Sequence, residues 1–239
     1  MATALAEAQI VAKQRLQRII VAGVAAAWAA LPHYNQQQVE EFLEKVLPLT
    51  AAANRQAVMQ TQAFLARSLG SPPASLNADQ IVAGIRNGVT PEEVYQRPFV
   101  TVWSELGKGT RWESAVKMGQ DRATTVAATD VQLSFTHTLQ AAGDADGSIV
   151  GYRRVADAGA CDLCSAADGQ VCSSSDLLPL HDRCSCGVET VTSEASFASD
   201  RFSGADGLEV AVQDHGELGP VLTNASQHFT PAPDAPDDT

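Results

Sequence analysis

The sequence predicts an α+β protein that is mainly α: a long helical N-terminal region, a small α+β module and a disordered acidic tail. Three observations point there. Apolar residues recur three and four apart through most of the first 142 residues, in segments punctuated by Pro and Gly. Strand-forming residues gather from Ser148, and every cysteine of the chain follows within residues 161–186. Over residues 187–239, ten acidic side chains then face a single arginine.

Residues 4–30 have the composition of one long helix, rich in Ala, Leu, Gln and Arg, and Leu31-Pro32 stops it. Its 13-residue apolar run, 19–31, is too short for a bilayer, which needs about 20 residues. Lys13, Arg15 and Arg18 precede that run as they would a signal-peptide core. The leading residues already read as helix and contain Glu7, however, so a buried bundle helix is expected and no membrane partner.

Asn35 caps a second helix with Val39, Phe42, Leu43 and Val46 on one stripe, which Pro48 kinks or ends. A third helix covers about 49–69 and closes at Gly70, completing a helical region over 1–70. Short helices and linker fill 71–108. One helix spans 78–87. Another opens at Thr90-Pro91-Glu92-Glu93, a capping box with proline at the first helical position, and meets Pro98 before resuming through Trp103. The next long helix runs over about 112–142. Residues 143–147 form a loop, and 149–155 have strand propensity, with 169–172 able to pair beside them.

The net charge of −12 is uneven: residues 1–146 carry 12 basic and 13 acidic side chains, residues 147–239 carry 4 and 15. Such a surface repels phosphate and argues against nucleic-acid binding driven by charge. Residues 191–239 read as an acidic, largely disordered tail, extended at its Pro- and Asp-rich end.

The chemistry concentrates in Cys161, Cys164, Cys172, His181, Cys184 and Cys186. CxxC followed at a loop's distance by HxxC has the spacing of a zinc site, because a two-residue spacer lets two donors point at one centre from one turn. Cys161, Cys164, His181 and Cys184 fill the four places, and Cys186 is the alternative ligand. Cys172 follows the turn signal Asp168-Gly169 and belongs to a returning strand. Five cysteines would leave one over in a disulfide framework, which favours metal and a reducing compartment. A structural role is expected. HExxH is absent and no HxE precedes the CxxC, while Asp162 and Asp182, inside the spacers, read as turn formers. A module of about 40 residues needs such a staple.

The whole order resembles a known family. Gly119-x-x-Arg122 with Thr129-Asp130 on one helix is followed by Tyr152-Arg153-Arg154-Val155, Asp157, Cys161-x-x-Cys164, Asp168-Gly169 and Leu178-Pro179-x-His181-x-x-Cys184-x-Cys186. It resembles the MuF-like head morphogenesis (minor capsid) proteins of tailed bacteriophages over roughly residues 109–190. The family's Thr-Glu stands here as Thr129-Asp130, Ser185 replaces the arginine usual between the last cysteines, and the spacing from Asp157 to Cys161 is longer. The resemblance implies a non-enzymatic virion or procapsid component made in the host cytoplasm. Its implied partners are phage portal and capsid or scaffold proteins, with an influence on packaged DNA in some members. Toxin, protease or transferase domains follow this module in other members, whereas only about 50 polar residues follow here.

Two other readings compete. A zinc-dependent nuclease or hydrolase would need an open metal position and a base, with Asp182 or His137 as candidates. A nucleic-acid-binding knuckle would use Arg153 and Arg154 on phosphate and Tyr152 for stacking. Arg122, Thr129 and Asp130, at i, i+7 and i+8, read as a hydrogen-bonded brace.

Overall fold

The computed structural model describes residues 3–193, 204–205, 208–224 and 229. Helix α1 (Ala4–Ala29) starts where the Thr3 hydroxyl accepts from the amide of Ala6. Helix α2 (Gln36–Leu69) starts at Asn35, whose side chain accepts from Gln38, and ends at the left-handed Gly70. A short α3 (Ala78–Gly84) follows, then α4 (Pro91–Gly107) behind the expected capping box: Glu93 accepts from the amide of Thr90 at 2.8 Å. Helix α5 (Trp112–Ala145) is the longest continuous spine beside α2.

The break expected at Pro48 is absent; α2 continues through it, as α4 continues through Pro98. An interior proline costs about 3 kcal/mol. Phe42, Leu43 and Val46 before Pro48 and Thr50, Ala53 and Ala57 after it are all buried, and that shared packing outweighs the lost backbone bond.

Two cores stack along α5. Its first half packs Ala115, Ala123, Val126 and Val131 among Trp28 of α1, Phe42 and Val46 of α2 and Phe99 and Val102 of α4. Its second half packs Phe135, Leu139 and Ala142 against Phe64 and Leu65 of α2, against Ile149 and against Tyr152 and Val188 of the small sheet. The helical core therefore draws on residues 1–70, on 71–108 and on α5 together. Gly119 lets the helices approach: a Cβ there would stand 2.7 Å from the Trp28 ring and 2.9 Å from the Pro98 carbonyl oxygen.

The sheet is antiparallel with order β2 (Val171–Cys172), β1 (Gly151–Val155), β3 (Gly187–Val191), so β1, the strand expected from Ser148 onward, lies at its centre. A five-residue helix, α6 (Asp162–Ala166), carries the CxxC. Beyond it lie two antiparallel pairs, β4 (Gly204–Ala205) with β5 (Leu208–Glu209) and β6 (Ala211–Asp214) with β7 (Pro220–Thr223). The β6–β7 hairpin falls where composition reads as tail. Leu218 and Val221 bury with Ile85 and Leu133, and Leu222 joins the apolar residues around the cysteines. The extended end expected at 231–239 lies outside the described residues.

Candidate metal centre

Cys161 is the N-cap residue of α6 and Cys164 sits in its first turn, so both sulfurs face the segment that carries His181. His181 Nε2 lies 3.3 Å from Cys161 Sγ and 3.2 Å from Cys164 Sγ, and Cys164 Sγ lies 3.6 Å from Cys184 Sγ. A tetrahedral ion with thiolate ligands at about 2.3 Å and an imidazole at about 2.0 Å sets its donors roughly 3.5–3.8 Å apart. The side chains are near that geometry. Cys161, Cys164 and His181 form one candidate metal-binding group, and Cys164, Cys184 and Cys186 form a second that shares Cys164. All five cysteines are free thiols.

The knuckle at 181–184 turns through Arg183, a non-glycine residue with φ of 61°. Thr129 on α5 holds it there: its hydroxyl donates to Asp182 Oδ1 at 2.9 Å and accepts from the Arg183 amide at 3.2 Å. The Arg183 guanidinium adds bonds to Thr124 and to the Asp121 carbonyl. Thr129 and Asp130, adjacent in sequence, thus serve two networks. Asp130 turns the other way and accepts from Arg86 at 2.7 Å and from Tyr95 at 2.9 Å. Arg86 also meets Glu217 of the hairpin turn, which Arg97 binds at 2.6 Å. Burial and the neighbouring Asp130 carboxylate push the Tyr95 phenol well above its ordinary value, which keeps it a donor.

The imidazole is oriented for ligation. His181 Nδ1 and the Asp182 carbonyl are 2.7 Å apart, so Nδ1–H donates there and Nε2 faces the sulfurs. Burial works against its protonation, but the bond to Cys184, the charges of Cys184 and Cys161 and the Asp182 carbonyl together outweigh burial and raise the ring to about 9. Among the protein groups themselves, bonds from Cys164 and Cys186, opposed by burial and aided by His181 and Lys13, hold the Cys184 thiol well below its ordinary value. That charge in turn helps to hold Cys186 up at about 12. A metal ion would have to displace the protons that Cys164 and Cys186 keep, so its binding here would be pH-dependent.

Helix α1 supplies an unexpected cradle. Gln9, Lys13 and Gln17, one helical turn apart, are all buried. Gln9 accepts from the amide of Val188 at 3.2 Å, Lys13 donates to the carbonyl of Cys186, and Gln17 donates to the carbonyl of Cys184 at 3.4 Å. From α5, Gln132 accepts from the Cys184 amide at 2.9 Å. Sequence reasoning missed all four. The available signal was a polar residue every fourth position beside Ile10, Leu16 and Ile20, on a helix otherwise suited to burial. Asp157 ties the cradle to the CxxC side: its carboxylate accepts from Gln14 and from Ser185, between the last two cysteines.

The remaining candidates lie apart. Cys172, on β2, is buried in the second core beside Tyr152. Arg153 pairs with Glu189 across the sheet at 3.2 Å, Arg154 donates to the Leu178 carbonyl at 2.7 Å, and Tyr152 is fully buried with its hydroxyl on the Leu139 carbonyl. Tyr152 therefore offers no face for a base. His137 is half-buried on α5, where burial lowers its pKa, and lies outside both donor groups. Among the described residues no helix is long and apolar enough to cross a membrane. The chain matches no family model, and no curated protein or solved structure matches it either.

Proposed function

We propose that this is a structural and interaction protein: a minor capsid, head-morphogenesis component of a tailed bacteriophage, with a zinc ion stapling its C-terminal module to a helical body. The observation that carries the structural reading is a pair of three-donor groups, Cys161/Cys164/His181 and Cys164/Cys184/Cys186, that share Cys164 and are gripped by α1 and α5. Zinc fits a donor set of thiolates with one imidazole. A hydrolytic zinc requires a position held open for a water and a base beside it. Asp182, the base a hydrolase would look to, is bound by Thr129.

The phage assignment rests on the ordered motif from Gly119 to Cys186. In that role the helical body docks on the portal vertex, and the zinc module fixes the relation between α1, α5 and the sheet. One zinc per purified chain, lost in the Cys161→Ser/Cys164→Ser double variant, is the expected result of elemental mass spectrometry. Co-sedimentation of the zinc-loaded chain with portal-containing procapsids of its own phage tests the docking. A metal-free native protein would overturn the staple, and failure to sediment with procapsids would overturn the capsid assignment.

A further inference from the structure

A cavity of about 320 Å³ lies between α2, α3, α4 and α5, far in sequence from the cysteines. Its walls are apolar: Leu47, Pro48 and Ala51 of α2 face Val82 of α3 and Ile85 and Val89 of the following turn. Helix α3 covers it, yet none of that helix's seven residues is buried, as expected of a cover over a hollow rather than a packed element. Arg55 and Gln62 of α2 hold the cover by an ion pair to Asp79 and a bond to the Leu76 carbonyl.

The polar floor is already satisfied, since Asp130 takes Arg86 and Tyr95. Asn54 is different. It lines the cavity and is only 5% exposed, and its Oδ1 is buried without a hydrogen-bond partner. A buried carbonyl oxygen left unpaired is costly, and pockets of this size with apolar walls and one or two fixed polar atoms suit small organic ligands. Apolar walls do not retain ordered water, whereas they do accept compact apolar molecules. Arg86 and Asp130 at the floor are paired with each other, and Glu92, the other charged lining residue, lies solvent-exposed at the edge, so a neutral ligand is favoured.

We infer that the cavity beneath α3 binds a compact, neutral, largely apolar molecule carrying one hydrogen-bond donor, which Asn54 Oδ1 receives. The inference is independent of the metal centre and of the capsid assignment. Indole, an apolar bicycle with one N–H and no competing acceptor, is the probe, and 1-methylindole is its match without the donor. Titration of the full chain by ligand-observed NMR should show indole binding about threefold to tenfold more tightly, the worth of one net hydrogen bond. Asn54→Leu should make the two ligands equal. Ala51→Phe should fill the cavity and abolish binding of both with no fall in unfolding temperature; Val82→Phe, from the opposite wall, serves if that variant does not fold. No indole binding at millimolar concentration would overturn the inference. Equal affinities in the native chain, or binding that survives both filling substitutions, would do so as well.

Discussion

Lys13 donates a hydrogen bond from its ammonium to the backbone carbonyl of Cys186, 173 residues further along the chain. The same ammonium lies 4.7 Å from the centroid of the Phe135 ring, so a residue of α1 joins α5 to the segment that carries the last two cysteines. Burial lowers its pKa, and the charges of Cys184, Cys186 and Cys164 act the other way. Lys13→Met keeps the length and removes the cation. Zinc affinity, measured against a chromophoric chelator, should fall by about 10–100-fold, the usual effect of losing an outer partner; unchanged affinity would mean that the lysine only packs.

The position of Cys172 separates ligation from burial. Cys161→Ser should remove the metal and unfold the sheet module while most of the far-ultraviolet helical signal remains. Cys172→Ser should keep one metal per chain, because its sulfur sits in the second core beside Tyr152. Elemental analysis and circular dichroism of the two variants check both outcomes.

Arg86 is buried between Asp130 and Glu217. Removing one partner of a buried ion pair leaves the other charge uncompensated and costs about 3–5 kcal/mol. Arg86→Met should lower stability by that order in denaturant titration, and adding Asp130→Asn should recover part of it.

Glu217 makes the hairpin acid-sensitive. Burial alone would raise its carboxyl, but Arg97 and Arg86 outweigh burial and hold it below its ordinary value of 4.5. A carboxylate depressed on folding contributes stability that is full above the unfolded value and is lost as pH falls through the lower, folded one. Glu217→Gln should therefore destabilise hairpin docking near pH 7, with the gap from the native chain closing below about pH 4. Amide exchange at Val221 and Leu222 reports it; a gap that persists in acid would assign the effect to packing alone.

Gly119 is a matter of space. A Cβ there would meet Val102 Cγ2 at 2.5 Å, the rigid Trp28 ring and a backbone carbonyl. Gly119→Ala should cost about 1–3 kcal/mol by overpacking, despite alanine's better helix propensity. Thermal unfolding measures it.

Much of this architecture is written locally. Thr90 to Glu93, Asn35, Gly70 and Asp168-Gly169 sit where short-range capping and turn chemistry place them, and the CxxC lies beside His181, with Cys164 shared by a second group of donors. What escaped depends on partners distant in the chain. The continuity of α2 through Pro48 comes from a shared core on both sides of the proline. The buried Gln9, Lys13 and Gln17 find their partners only at 184–188. The β6–β7 hairpin lies within a stretch of acidic, polar composition, and Glu217 becomes structural because Arg86 and Arg97 wait for it on other elements.

The pairing of α1 with residues 184–188 also bears on synthesis. At the usual pace of about 5–20 residues per second, α1 leaves the ribosome roughly 10–35 s before the strand its glutamines and lysine will hold. Through that interval a helix with one apolar and one unsatisfied polar stripe has α2, α4 and α5 as partners but no sheet. The helical body can assemble during translation, and the cysteine-bearing module closes onto it as a late, separate step.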